Sequence, residues 1–82
     1  MNQEEKKQMK AEIVELSSRI KTASKEIKEE LMKNVNTEFI KVKSEIVVRD
    51  GGAGERNAAE IAEVQMKVIF EESKKIVQKY NL

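Results

Sequence analysis

From Met9 to Ile46, apolar side chains return every three or four residues: Met9, Ile13, Leu16, Ile20, Ala23, Ile27, Leu31, Val35, Phe39, Val42 and Ile46. That is the period of one helix face, and charged and polar residues fill most of the positions between. From Ile27 to Phe39 every step is four residues, so the stripe drifts around the helix there, as at a stutter or a bend. The same region holds Asn34-Val35-Asn36-Thr37, four poor helix formers in a row. Asn36 or Thr37 suits an N-cap. The pattern therefore predicts helix with a kink or break near 34–37.

The clearest interruption lies further on. Proline is absent, and all three glycines fall together at Gly51, Gly52 and Gly54. Glycine weakens a helix and supplies the backbone freedom of a turn. A second helical pattern follows, with an apolar face of Ala58, Ala59, Ala62, Met66, Ile69, Phe70, Ile76, Val77 and Tyr80. Asn2 with Glu5, and Asn57 with Glu60, resemble helix-start signals. Glu15–Arg19, Glu29–Lys33, Glu45–Arg49, Glu63–Lys67 and Glu71–Lys75 stand at the spacing of supporting pairs. A short loop between two such helices favours an antiparallel hairpin. The expected fold is one all-α domain over residues 1–82, a long helical hairpin with coiled-coil character.

Residues 39–49 carry a competing pattern. Ile40, Val42, Ile46 and Val48 alternate with Lys41, Lys43, Glu45 and Arg49, and the stretch is rich in β-branched residues. An α-β-α chain with this strand paired across a dimer is the alternative. A lone strand lacks a partner within one chain of this length, which favours helix.

Length then bears on assembly. An unbroken first helix over 3–49 would run about 70 Å, and the second helix would cover only part of it. Met9, Ile13, Leu16 and Ile20 would face water unless the chain folds back into three helices or another copy covers them. Ile61, Val64 and Val68 form a second stripe on the last helix, and Ile40 and Val47 also lie off the main stripe of the first. Two stripes on one helix imply two partners. These residues are the candidate contact surfaces: Met9, Ile13, Leu16 and Ile20 on one side, Ile61, Val64 and Val68 on the other. A homo-oligomer is the expectation, and a domain this small gains stability by forming one.

Composition narrows the chemistry. With no Cys and no His, disulfides, zinc sites of the usual kind and Ser-His or Cys-His catalysis are all excluded. Glu-x-x-Glu pairs occur at Glu12/Glu15, Glu26/Glu29 and Glu60/Glu63, but carboxylate-bridged metal sites also use histidine. No metal, cofactor or catalytic residue is assigned, and an enzyme is not expected. Lys+Arg 16 against Asp+Glu 15 leaves a net charge of +1, which argues against nucleic acid and anionic membrane as partners. No secretory leader or membrane-length apolar run is present, so a cytoplasmic protein is expected. Lysine far outnumbers arginine, which points to an AT-rich bacterial or phage source.

Two loci retain a specific alternative. The loop from Gly51, Gly52 and Gly54 to Arg56 and Asn57 enters a helix, where backbone N–H groups and the Arg56 fork suit a phosphorylated small molecule. It lacks the Gly-Lys-Ser/Thr of a nucleotide loop. Residues 39–49, if paired as a ribbon between two chains, would suit a DNA-binding regulator. The favoured reading is a non-enzymatic binding protein, an adaptor, scaffold or small inhibitor that presents helical surface to another protein.

Overall fold

The computed structural model describes residues 2–49 and 54–82; the side chains of Arg49 and of residues 54–57 lie outside the description. The chain is all-helical: α1 spans Gln3–Ile20, α2 Lys25–Arg49 and α3 Gly54–Tyr80. No strand occurs among the described residues. Residues 39–49 belong to α2, which corrects the strand alternative. The physical reason is burial. Phe39 and Val42 are half-buried and Ile46 is buried, a helical spacing that an alternating strand would split between two faces.

The first helix does break, but at 21–24 rather than 34–37. Ala23 N–H donates to the Ile20 carbonyl at 2.9 Å, and the Thr22 hydroxyl donates to the Arg19 carbonyl at 3.3 Å. Ser24 then caps α2: its Oγ accepts from Ile27 N–H at 3.4 Å and its carbonyl from Lys28 N–H at 3.2 Å. Residues 34–37 stay helical because Asn34 and Val35 are half-buried, and packing outweighs a few tenths of a kcal/mol of propensity per residue. At the chain start Asn2 caps α1, with Glu5 N–H donating to Asn2 Oδ1 at 2.8 Å. At the other end Asn81 adopts φ 54°, and Leu82 N–H donates to the Val77 carbonyl at 3.0 Å, a left-handed cap that closes α3.

The order is up-down-up, with α3 as the central helix. α1 runs parallel to α3. Lys6 meets Glu63 at 3.3 Å, Ile13 shares a groove with Met66 and Ile69, and Leu16 and Arg19 lie beside Phe70 and Lys74. α2 runs antiparallel to it, with Val42 near Val68 and Glu30 held by Lys79 and Tyr80. α1 and α2 scarcely touch one another. They converge only at the 21–24 turn. The two stripes read on the last helix thus find their two partners within the chain: Met66, Ile69 and Phe70 serve α1, and Val68 serves α2.

The result is splayed. The Cα trace measures 41 × 28 × 15 Å, a width that fits three helices abreast at spacings of about 8–10 Å. The radius of gyration is 14.1 Å, against about 12 Å for a compact chain of this length. Accessible surface is 6089 Å², where a compact monomer of this mass would show about 5000 Å². The described apolar core is correspondingly thin: Ile20, Ile46, Val68 and Ile76.

Candidate interaction surface

α1 and α2 diverge from the 21–24 turn, and α3 forms the floor between them. On this side Ile13 and Val14 of α1 and Ala62, Met66 and Ile69 of α3 line a groove of about 450 Å³, almost wholly apolar. A second groove of about 490 Å³ continues from Val14 past Ser17 and Ile20 to Lys28 and Leu31 of α2. Val14 lines both. The opposite side of the α1–α3 seam is lined by Glu5, Gln8, Met9, Glu12 and Lys67.

Several large apolar side chains stand uncovered on the described surface. Val14 is 68% exposed, Met32 66% and Ile40 63%; Val47 and Val48 are also exposed. On α2, Ile40 and Val47 lie roughly 80° and 60° around the axis from Met32, one edge of the helix. Leu31 lines the trough, and Ile40 and Val47 lie roughly 180° and 160° around the axis from it, so that edge faces away from α3. Val48 lies apart from this edge, roughly 160° from Met32.

The sequence-derived contact residues divide. Ile20 and Val68 lie in the interior of the chain, so they form core rather than outer surface. Met9, Ile13 and Leu16 are half-buried where α1 meets α3, and Ile61 and Val64 are half-buried on α3. Ile40 and Val47, read in the sequence as off the main stripe, are exposed. Val14 was not singled out. Its signal was adjacency, since it follows the stripe residue Ile13 and widens the apolar face by one position.

Gly51 and Gly52 lie outside the described residues. Gly54, Arg56 and Asn57 fall in the first turns of α3, not in a loop, and their side chains are outside the description. Asn57 accordingly does not begin the helix; α3 starts three residues earlier.

Two of the pairs of perturbed ionisable groups tie helices together, and a third lies within α3. Hydrogen bonds from Lys79 and then Tyr80 hold the Glu30 carboxyl below its ordinary range, and Glu30 in turn raises Lys79. Lys6 does the same for Glu63, partly offset by desolvation. Within α3, Glu72 accepts from Lys75 at 3.0 Å and raises its pKa. Among the described residues no three His, Cys, Asp or Glu side chains gather to hold a metal ion, and no helix is long and apolar enough to cross a membrane.

No protein-family model, curated protein or solved structure matches this chain.

Proposed function

We propose that this chain is a non-enzymatic interaction module, an adaptor, scaffold or small inhibitor that works by covering its apolar trough with another polypeptide surface. One observation carries the reading. The chain keeps roughly 1000 Å² more surface than a compact monomer, and large apolar side chains line or border one side of it. Exposed apolar residues scattered singly need no explanation, but the exposed Val14 lines both grooves together with Ile13, Met66, Ile69, Ile20 and Leu31.

A photo-activatable cross-linking residue at position 14, in the protein's own cells, tests this. Cross-links to a polypeptide from position 14 and none from Gln78, an exposed polar position of α3, support it. An uncross-linked chain at position 14 would sink it.

A further inference from the structure

The trough is proposed above as the binding surface, and the next inference rests on that reading. We infer that its occupant is an amphipathic helix of another protein, one whose apolar stripe is flanked by Asp and Glu side chains.

Charge carries the argument. Lys10 lines the first groove and Lys21 and Lys28 the second, while among the described residues no Asp or Glu lines either. Other grooves of the molecule mix both signs: Glu5 and Glu12 face Lys67 in one, and Glu38 and Glu71 face Lys67 and Lys75 in another. Lys+Arg and Asp+Glu are almost balanced over the chain, 16 against 15, so a lining of one sign is a segregation and not a consequence of composition.

The three lysines are also free to act. Among the described residues none of them enters an ion pair. No carboxylate stands three or four residues from Lys10, Lys21 or Lys28, the spacing at which helix neighbours meet. Ser17 and Ser18 add hydroxyl donors beside them. Carboxylates answer all of these donors, and ammonium–carboxylate hydrogen bonds are the stronger kind.

Shape names the helix. Lys10, Val14, Ser17 and Lys21 follow at steps of four, three and four, so they share one face of α1 over about 16 Å, three helical turns. α1 and α2 rest on α3 and scarcely touch each other, which leaves the notch between them open to a fourth helix. An extended peptide suits this lining poorly. Ile13, Val14, Met66 and Ile69 belong to helices whose backbone groups bond internally, and no strand edge occurs among the described residues. A helix satisfies its own backbone and brings only side chains to such a surface. A specific interface removes about 800 Å² from each partner, on the scale of the roughly 1000 Å² by which this chain exceeds a compact monomer.

Fluorescence anisotropy of the full chain with two synthetic peptides tests the inference. Both are about 18 residues long and share one leucine stripe at helical spacing; Glu flanks the stripe in one and Lys in the other. The Glu peptide should bind about tenfold more tightly, and its affinity should fall as NaCl rises from about 0.05 to about 0.5 M. The triple variant Lys10→Glu, Lys21→Glu, Lys28→Glu should reverse the order of the two peptides. Its far-ultraviolet circular dichroism should match wild type, because all three lysines are exposed. Lys28→Gln alone, which removes one charge and adds none, should narrow the difference between the peptides. Equal affinity for the two peptides would overturn the proposal, as would no binding of either at about 1 mM. So would a preference that Lys28→Gln and the triple variant leave unchanged. Cross-linking at position 14 keeps the two readings apart. A captured segment without acidic flanks, or one from a second copy of this chain, removes the acidic helix and leaves the interaction module standing. A position 14 that captures no polypeptide removes both.

Discussion

The Tyr80 hydroxyl, in the last turn of α3, donates to Glu30 Oε1 on α2 at 2.6 Å, while Lys79 Nζ reaches the other carboxylate oxygen at 2.8 Å. The two donors close the helix pair at the end away from the 50–53 connection. Both favour the ionised carboxylate, with Lys79 the larger influence. A carboxyl with a lowered folded-state pKa stabilises the fold fully above its unfolded value of about 4.3, and that stabilisation fades as pH falls through the lower folded value. Urea denaturation should therefore show stability that is level around neutrality and declines on acidification. Glu30→Gln should be less stable at pH 7 and lose less between pH 5 and 3. Parallel acid limbs for the two proteins would show that the clamp does not form.

The position of the first break makes a paired prediction. Ser24→Ala removes the α2 cap and should cost about 1 kcal/mol, whereas Ser24→Gly costs only a few tenths. Asn36→Ala replaces an exposed mid-helix residue with a better helix former and should stabilise by about 0.5 kcal/mol. A break at 34–37 would reverse the pattern, since Asn36 would then be the cap. Chemical denaturation of the three variants decides it.

Ile76 is only 2% exposed, the most enclosed large side chain described. Truncation to alanine removes buried methyl groups and leaves a cavity, for a loss of about 2–5 kcal/mol. Total stability for a chain of this length is about 4–12 kcal/mol, so Ile76→Ala removes a large share of it. Val48→Ala, at an 81% exposed site, should stay within about 0.5 kcal/mol of wild type. Thermal melts that ranked these two variants equally would place the core elsewhere.

Amide hydrogen exchange should grade the helices. α3 has a neighbour on each side, and its Val68, Ser73 and Ile76 are buried; α1 packs on α3 alone and contributes only Ile20. Amides around 68–76 should exchange slowest, near the rate set by global unfolding, and those of 3–12 well ahead of them. Uniform protection along α1 and α3 would contradict the splayed packing.

Much of this fold was legible in the chain. The stripe from Met9 to Ile46 and the two stripes of α3 marked the helices, and the pair Ile69/Val68 already told that α3 must serve two neighbours. The 21–24 turn was hidden because the apolar stripe passes straight through it: Ala23 keeps the period between Ile20 and Ile27. Only the Thr22–Ala23–Ser24 composition hinted at a cap. Asn34 and Asn36 drew attention instead, and what overrides their propensity is a half-buried Asn34 and Val35, a tertiary effect absent from local composition. The step-of-four run from Ile27 to Phe39, read as a bend, belongs to an uninterrupted helix whose buried stripe winds around it. That winding leaves the Met32–Ile40–Val47 edge off the contact with α3. Of the exposed apolar residues, Ile40 and Val47 stood out in sequence. Val14 did not, because one valine beside Ile13 carries no period of its own.

The order of elements has a consequence for how the chain is made. The helix on which both others rest is the last of the three to be synthesised. A nascent α1–α2 segment has almost no surface in common, so neither can bury its stripe while α3 is still being translated. At about 5–20 residues per second, α1 waits several seconds for its partner. Biogenesis of this fold therefore runs opposite to the usual vectorial order: the N-terminal helices stay sticky until the final one emerges, and that interval is when a chaperone has something to hold.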